Sequence, residues 1–476
     1  MKHLLLLFLY LIVCTEIQAQ VGIGGKPHPS AALDVPSTDK AFYPPRMTSA
    51  QRKNIINPQP GAFVYDTDQG ALYLFNGQIW QSVTVSSANY VTPLSFTATD
   101  GGSNSSFGAG VSIAGDYTII GAPDAEIVNN GVTSTDQGAA YIFTRSTHGW
   151  SQQVKLVADD GAAGDHFGQA VAIYGDYAIV GAYQDDIGSN LNQGSVYIFI
   201  RNGTTWTQQA KLTASDGSAN DLFGSKVALY GDYAIVSGGD DDITVNGVAN
   251  TDQGSAFIYI RSGTTWTEQA KLIASDGASS TYFGNSVSIY GDYALVGAYN
   301  ASILVNGATH EGQGATYVFI RNGTTWTEQA KLIASDGASS DRFGASVSIN
   351  GDYALVGADQ DDNSGSAYVF IRNGSTWMQQ AKLTFSNSYY QSYFGGAVSL
   401  SGKYALIGAY KNDSSGNAFI FARDGTTWAY RRILNPTATG GSYGTSISID
   451  HETYIIGAPS FQNNTGQVAI STFDNL

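Results

Sequence analysis

Three clusters of aspartate are the residues of this sequence whose type and grouping most favour chemistry. They are Asp185, Asp186, Asp240, Asp241, Asp242, Asp359, Asp361 and Asp362. Carboxylates beside asparagine side chains and backbone carbonyls are the ligands that calcium prefers. No cluster has the ordered ligand spacing of a calcium loop, and a solvated acidic surface would keep a glycine-rich protein soluble. We expect these residues to line a ligand-binding surface, with calcium as a candidate cofactor and solvated acid as the alternative.

No catalytic motif accompanies these carboxylates in the sequence. A Ser–His–Asp signature, a nucleophile elbow, a phosphate loop and a histidine-rich metal motif are all missing. The histidines after residue 19 are scattered: His28, His148, His166, His310 and His451. We therefore expect no enzyme activity, and a glycan hydrolase is the alternative.

The aspartate clusters occupy equivalent places in a repeat that begins with an aromatic residue followed by glycine. Successive copies begin 49 to 60 residues apart. Their first residues are Phe107, Phe167, Phe223, Phe283, Phe343, Phe394 and Tyr443. Repeats of this kind are typical of propellers and solenoids, in which neighbouring copies bury a shared core.

Each copy predicts four short β-strands, which we call a, b, c and d. In the second copy they fall within residues 171–175, 176–182, 194–200 and 206–214. Strands a to c are largely apolar on both faces, whereas strand d alternates and is therefore expected at the outer edge. One predicted face of strand d carries Trp206, Ala210 and Leu212, and the other carries Thr207, Gln209 and Lys211. Four-stranded sheets of this kind, repeated radially, form a β-propeller.

The two ends of the repeat region predict a closed ring. The last copy stops after strand c, whereas residues 90–100 align without gaps on residues 206–216, which contain strand d. An N-terminal strand d that pairs with the last copy would remove a free sheet edge. We therefore predict an all-β, seven-bladed β-propeller over residues 90–476, closed by this segment, with Leu94 and Phe96 buried.

The residues that carry the repeat resemble a known family. Phe-Gly at the starts, together with Gly-Ala-Pro after strand b at residues 121–123 and 457–459, resembles FG-GAP repeats. The resemblance implies the seven-bladed propeller of integrin α subunits and of many bacterial surface proteins. Calcium-binding integrin copies carry an Asp-x-Asp-x-Asp-Gly loop between strands a and b. Here that turn is Tyr-Gly-Asp-Tyr or a variant, so the resemblance implies no calcium site of the integrin type.

The remaining sequence precedes the repeats. Residues 1–19 have the pattern of a secretory signal cleaved after Ala19, which removes Cys14, the only cysteine; a lipoprotein signal with Cys14 lipidated is the alternative. Residues 20–85 resemble a module at the N-terminus of many Bacteroidetes surface proteins and of tail-fibre-like proteins. Thr48 and Gln51 have capping-box spacing for one short helix. This module is expected to serve attachment or oligomerisation, or to be a passive leader.

Charge and loop placement predict the function. The net charge of −16 argues against nucleic acid and anionic membranes as partners, and no segment after the signal is apolar enough for a membrane span. The b–c and d–a loops share one end, and binding sites favour variable loops on a rigid scaffold. We predict a secreted or cell-surface adhesion or binding scaffold that engages a protein or glycan through the acidic loops. The alternatives are an extracytoplasmic glycan-active enzyme and a purely structural surface component.

Overall fold

A computed structural model of the protein describes residues 21–22, 33–34, 44–69, 71–75, 79–82, 93–245, 247–385, 391–412, 415–436 and 440–473. The chain divides into two units, Met1–Tyr90 and Val91–Leu476. The secretory signal expected in residues 1–19 lies outside the described residues, as do residues 90–92 of the expected closing segment. Within the described part of the chain, no helix has the length and apolar character needed to cross a membrane.

The described residues of the first unit form short strands and the helix Ser49–Lys53. One sheet has the strand order Arg46–Met47, Phe63–Asp66, Ala71–Phe75, Trp80–Ser82, and a separate parallel pair is Val21–Gly22 with Leu33–Asp34. The helix Ser49–Lys53 begins with the predicted capping box, in which the Thr48 hydroxyl accepts the backbone N–H of Gln51. Buried Arg52 donates from Nε to Asp66 at 2.8 Å, which ties the helix to the sheet.

The second unit is built from four sets of strands that correspond to the predicted a, b, c and d. Strands a are Val111–Ala114, Val171–Tyr174, Val227–Tyr230, Phe283–Tyr290, Phe343–Asn350, Phe394–Ser401 and Ile447–Asp450. Strands b are Tyr117–Ala122, Tyr177–Ala182, Tyr233–Gly238, Tyr293–Ala298, Tyr353–Ala358, Tyr404–Ala409 and Thr453–Ala458. Strands c are Ala139–Ser146, Ser195–Asn202, Ser255–Ser262, Ala315–Asn322, Ser366–Asn373, Asn417–Asp424 and Gln467–Thr472. Strands d are Gly149–Leu156, Thr205–Leu212, Thr265–Leu272, Thr325–Leu332, Thr376–Leu383 and Thr427–Leu434.

Each sheet is antiparallel with the strand order a–b–c–d, and we number the sheets one to seven in the order of their strands a. In the seventh sheet the d position is taken by Leu94–Phe96, which pairs with Gln467–Thr472. The predicted all-β, propeller-like repeat fold of four-stranded antiparallel sheets is confirmed. The predicted burial of Leu94 is wrong, because its side chain on this outermost strand is 47% exposed. Phe96 is half-buried and stacks on Phe143 with ring centroids 4.6 Å apart.

A β-bulge overturns the predicted faces of strand d. In the second sheet Gln209 of strand d has no opposed residue in strand c, although the residues on either side of it do. Opposed residues share a face of the sheet, and one inserted residue reverses the alternation beyond it. Trp206 and Lys211 therefore lie on the same face, opposite Leu212. The register shifts at the corresponding place in all of the first six sheets.

The apolar core lies between consecutive sheets, and each buried cluster takes residues from two of them. Phe167, which begins the second copy, is fully buried and meets the rings of Tyr197 and Phe199 edge-on at 5.4 and 6.0 Å. Gly168 follows with φ = 104°, and a Cβ there would lie 2.3 Å from the carbonyl oxygen of Ala139 in the first sheet. The aromatic-Gly start is therefore required by the contact between sheets.

Polar contacts fasten the outer strands of consecutive sheets. Trp206 donates from Nε1 to Gln153 Oε1 of the first sheet at 3.0 Å and packs edge-on against Tyr117. Arg201 pairs with Asp176 of the a–b turn and lies 4.4 Å from the centre of the Tyr117 ring. The same tryptophan–glutamine bond is made by Trp266, Trp326, Trp377 and Trp428. These five tryptophans thus pack between consecutive sheets.

The b–c loops differ most from sheet to sheet. Those of the first, third and fourth sheets contain small hairpins: Ile127–Asn129 with Val132–Ser134, Ile243–Val245 with Val248–Asn250, and Ile303–Val305 with Ala308–His310. Those of the fifth and seventh sheets contain single helical turns, Asp361–Asn363 and Phe461–Asn464. The scaffold is therefore constant, and variation is concentrated in one class of loop.

Candidate functional site

One end of the sheets gathers the variable segments, because successive strands alternate in direction. The b–c loops and the segments that lead into the aromatic-Gly pairs both lie there and are in contact. The backbone N–H of Leu222, for example, donates to the carbonyl of Asn192 in the b–c loop of the preceding sheet. We call this end the loop face. All eight aspartates predicted as site residues belong to its b–c loops.

Three of these aspartates are buried within the loops they support. Asp185, Asp241 and Asp361 are 6%, 6% and 2% exposed. Each accepts a hydrogen bond, at 2.5 to 2.6 Å, from the hydroxyl of the serine that begins strand c. Each also pairs with the lysine of strand d at 2.6 to 2.7 Å. The hydrogen-bonding capacity of each buried carboxylate is therefore met by residues of the protein itself.

The lysine partners also connect consecutive sheets. Lys211 pairs with Asp160, which lies in the loop after strand d of the first sheet, at 2.6 Å. Lys271 makes the equivalent pair with Asp216 and Lys382 with Asp336. Each lysine thus lies between a carboxylate of its own b–c loop and one from the preceding sheet. This three-membered arrangement fixes the base of the loop against the neighbouring sheet.

The other predicted site residues have different surroundings. Asp186, Asp242 and Asp362 are exposed, and the first two each accept a backbone N–H from the far side of their own loop at 2.8 and 2.9 Å. Asp240 is half-buried and Asp359 is buried, and desolvation raises the pKa of both carboxyls. The exposed carboxylates are the members of the predicted set that lie open to a ligand.

A further set of carboxyls lies in the segments before the aromatic-Gly pairs and was missed from the sequence. Asp165, Asp221 and Asp341 are buried, and each accepts a backbone N–H at 2.5 to 2.6 Å from three residues earlier. Burial raises the pKa of each to about 6, and repulsion from the aspartates of the adjacent b–c loop adds to the shift. Cavities of about 360 and 310 Å³ lie beside Asp165 and Asp341. These three carboxyls therefore gain their charge at a higher pH than ordinary surface aspartates.

The residue directly before the aromatic-Gly pair is left-handed in every copy. Its φ lies between 52° and 62°, a region that residues other than glycine rarely adopt. The seven residues are Ser106, His166, Leu222, Tyr282, Arg342, Tyr393 and Ser442. The backbone is constant at this position, whereas the side chain changes from copy to copy. Strained positions of this kind cluster at functional sites.

In the fourth to sixth sheets these left-handed residues meet the residue that follows strand b. Tyr282 stacks on Tyr299 with ring centroids 5.4 Å apart. Arg342 lies 4.5 Å from the centre of the Tyr299 ring and 3.5 Å from Asp359. The equivalent pair of the sixth sheet, Tyr393 and Tyr410, stacks at 5.0 Å. This group of half-buried tyrosines around an arginine lies on the loop face, and Tyr393 lines the same cavity as exposed Asp362.

The arrangement gives calcium no geometric support. Among the residues that the structure describes, no group of three or more histidine, cysteine, aspartate or glutamate side chains is placed to hold a metal ion. Three of the candidate aspartates are already paired with lysine. Calcium binding therefore stays a prediction, and the chemistry that the loop face offers directly is recognition by aromatic, cationic and acidic side chains.

The fold and the loop face define a β-repeat protein with a constant scaffold and variable side chains at one end. A family model described as FG-GAP repeat matches residues 94–143, 150–199, 206–259, 266–319, 326–370 and 377–421. These matches cover more than half of the chain, which therefore belongs to the FG-GAP repeat family. FG-GAP repeats are typical of β-propeller scaffolds for binding or adhesion, and proteins built from them are generally non-enzymatic.

The N-terminal region matches a second family model. The model described as phage tail like trimerisation region matches residues 21–98. This match covers residues 21–90 of the first unit and extends through the strand Leu94–Phe96, where the FG-GAP matches begin. The similarity agrees with the resemblance to tail-fibre-like proteins that the sequence of residues 20–85 suggests.

Proposed function

We propose that the seven sheets form a seven-bladed β-propeller closed by Leu94–Phe96. The contacts between the seventh and first sheets support this, because they repeat those between other neighbours. Phe107 forms an isolated bridge with Gly466, as the phenylalanines of the second and fifth copies do with the sheet before them. The Ser448 hydroxyl accepts the backbone N–H of Ile113 at 3.2 Å, and the equivalent serine makes this bond between four other pairs of sheets. One apolar cluster takes residues from both sheets.

On this scaffold the chain is a binding protein whose ligand site is the loop face. The left-handed position before each aromatic-Gly pair is the observation that carries the proposal. If only the backbone mattered there, glycine would serve at every copy without steric cost. The copies instead use side chains as different as leucine, histidine and arginine, at the cost of strain. Side chains retained against strain, on variable loops over a rigid scaffold, indicate recognition.

The side chains of the fourth to sixth sheets favour a protein ligand. Tyrosine and arginine are enriched at the positions that contribute most binding energy in protein interfaces. Tyr282, Tyr299 and Arg342 form one such group, with Tyr393 and Tyr410 in the next sheet. A glycan is the second candidate ligand, because aromatic rings also stack on sugar rings. Exposed carboxylates around this group favour a partner with a basic surface.

A screen followed by matched substitutions tests the proposal. Residues 20–476 are immobilised and screened against a glycan array and a set of extracellular proteins, and hits are remeasured with Arg342→Ala and Arg431→Ala. Arg431 is an exposed arginine of strand d, so Arg431→Ala removes the same charge at a position away from the loop face. We expect Arg342→Ala to weaken binding by about tenfold or more, as truncation of interface arginines does, and Arg431→Ala to leave it unchanged. Equal effects of the two substitutions would contradict the loop face, and glycan turnover without stable binding would favour a hydrolase.

The site of action that fits this function is the cell exterior. The secretory signal pattern of residues 1–19 and the loss of Cys14 on its cleavage support a secreted or cell-surface location. Mass spectrometry of the protein from the culture medium and the surface fraction of a producing cell tests it. A mature N-terminus at Gln20 is expected, and an intracellular protein that retains Met1–Ala19 would contradict it.

A trimer is the assembly supported by the N-terminal match. Residues 21–98 are similar to a phage tail like trimerisation region, so we propose that residues 20–85 join three copies of the chain. Three propellers would then present three loop faces, and multivalent binding raises the apparent affinity without new contacts. Sedimentation equilibrium should give three times the chain mass for residues 20–476 and a monomer once residues 20–85 are removed. A monomer in both cases would exclude this role.

A further inference from the structure

A cavity at the opposite end from the loop face is lined by six of the sheets, and the sixth and seventh contribute further residues of their a–b turns. Its volume is about 720 Å³, within the range of small-molecule sites. Each of the six sheets contributes the last residue of its strand a: Tyr174, Tyr230, Tyr290, Asn350, Ser401 and Asp450. We call this space, bounded by the a–b turns, the turn-side cavity. It shares no lining residue with the loop face and is independent of the proposed function.

One half of the turn-side cavity is aromatic. Tyr230 lies between two other tyrosines, with its ring centroid 5.2 Å from that of Tyr174 and 4.6 Å from that of Tyr290. The three rings form a continuous arc across the second to fourth sheets. The face of an aromatic ring carries partial negative charge, so it attracts the weakly positive C–H groups of a pyranose ring.

The other half is polar and held in place by the backbone of the next sheet. Asn350 Oδ1 accepts the N–H of Gly402 at 3.1 Å, and Ser401 Oγ accepts that of His451 at 2.9 Å. Asp450 Oδ2 accepts the N–H of Gly115 at 2.7 Å. These bonds leave the amide nitrogen of Asn350 and the hydroxyl proton of Ser401 without a partner in the described part of the chain. A pre-organised row of donors and acceptors suits the hydroxyl groups of a sugar.

The a–b turns depart from the repeat where they line this cavity. Six of the seven turns have glycine at the left-handed position, whereas the seventh has His451 with φ = 54°. In the first five sheets the next residue of the turn is an aspartate that pairs with the arginine of strand c. This position is occupied by Lys403 in the sixth sheet and by Glu452 in the seventh. A strained histidine and a lost ion pair weaken the scaffold. Their coincidence with the cavity indicates a functional constraint.

We propose that the turn-side cavity binds a neutral pyranose oligosaccharide. The tyrosine arc stacks on the C–H face of the sugar, and the opposite row of Asn350, Ser401 and Asp450 binds its hydroxyl groups. His451 and Glu452 extend this row toward solvent, where the His451 ring is 89% exposed and its Nδ1 lies 2.7 Å from Asp450. A single lysine beside two carboxylates makes the cavity unsuited to an anionic ligand.

Calorimetric titration of residues 20–476 tests the proposal, with neutral trisaccharides of glucose, galactose, mannose and N-acetylglucosamine and with oligolysine as probes. Three variants are compared: Tyr230→Ala, His451→Gly, and Arg431→Ala as a control on strand d, away from both the cavity and the loop face. We expect at least one trisaccharide to bind, and Tyr230→Ala to weaken it by about tenfold or more. His451→Gly restores the residue of the other six turns, so it should weaken binding while leaving the melting temperature unchanged or higher. Arg431→Ala should leave sugar binding unchanged.

The contrary results are equally definite. Absence of binding by all four trisaccharides at millimolar concentration, or preference for oligolysine, would overturn the sugar assignment. Binding that survives both Tyr230→Ala and His451→Gly, or that falls equally with Arg431→Ala, would place the ligand elsewhere. If Tyr230→Ala fails to fold, His451→Gly decides alone, because a purely structural role of His451 predicts no change in affinity.

Discussion

Removal of the strand Leu94–Phe96 tests the proposed closure of the ring. Two shortened chains are compared, one without residues 20–85 and the other without residues 20–100. The first keeps the strand and should fold like the full chain, because the deleted residues belong to the first unit. The second leaves Gln467–Thr472 as a free edge of the seventh sheet.

The cost follows from the contacts that the longer deletion removes. Three residue pairs of the ladder are lost, and at about 0.5–1.5 kcal/mol per hydrogen bond they contribute about 3 kcal/mol. The half-buried Phe96, which stacks on Phe143, adds about 2 kcal/mol from burial and ring contact. The surface ion pair between Lys155 and Asp100 adds less than about 1 kcal/mol. The total of about 5 kcal/mol compares with the roughly 5–15 kcal/mol by which whole domains are stable.

Thermal unfolding by circular dichroism and size-exclusion chromatography measure the outcome. We expect the chain without residues 20–100 to melt about 5 °C or more below the chain without residues 20–85. We also expect it to aggregate through its unpaired edge strand. Equal melting temperatures and equal solubility would refute both the closure and the seven-bladed ring.

Three further predictions concern the carboxyls of the loop face. The pKa of Asp221 is raised to about 6 in the folded protein from about 3.9 in an unfolded chain, so its contribution to stability is present below pH 4 and lost as the pH rises through 6. Asp221→Asn should therefore be about 1–3 kcal/mol more stable than the unsubstituted protein at pH 8 and equally stable at pH 4. Urea titrations at both pH values measure this, with the exposed Asp186→Asn as control. If the stability of Asp221→Asn and of the unsubstituted protein changed in parallel with pH, the prediction would be wrong. Asp241→Ala should lower the free energy of unfolding by about 1–3 kcal/mol, because it leaves the buried hydroxyl of Ser255 without its acceptor. Adding Ser255→Ala should recover part of this loss, since the fourth sheet has buried alanines at the two equivalent positions. A larger loss in the double variant would contradict this explanation. If the exposed carboxylates bind calcium, millimolar calcium should raise the melting temperature as RT ln(1 + [L]/Kd) requires, and an unchanged melting temperature would leave them as solvated acid.

The repeat made the fold predictable, and the bulge shows where pattern alone fails. The recurring aromatic-Gly starts and apolar runs predict the four strand sets and their order. Strand d was assigned the wrong faces because the inserted residue, Gln209, is an ordinary glutamine with no turn or glycine signal beside it. Alternation therefore put Lys211 opposite Trp206, although the bulge places both on one face.

The candidate site was only partly predictable, because burial depends on partners distant in sequence. In the sequence, Asp185 resembles an exposed acidic residue. In the fold, strands c and d bring Ser195 and Lys211 into contact with it. A signal did exist: the copies with an aspartate here also begin strand c with serine and carry an aspartate two residues before Phe-Gly. The left-handed residues had no such signal. Their φ is set by the contact of the following Phe-Gly with the preceding sheet, and residues as unlike as Leu222 and Arg342 share no type.

The left-handed position has a consequence for how such a protein diversifies. The aromatic residue and glycine that follow it fill the contact between sheets, so the side chain before them changes without altering that contact. Copies elsewhere remain close enough to recombine: residues 321–340 match residues 261–280 at 19 of 20 positions. The transfer of one copy's sequence onto another by gene conversion would therefore change the left-handed side chains in single steps while keeping the number of copies and the contacts between sheets. Selection on such a chain acts on whole copies as well as on individual residues.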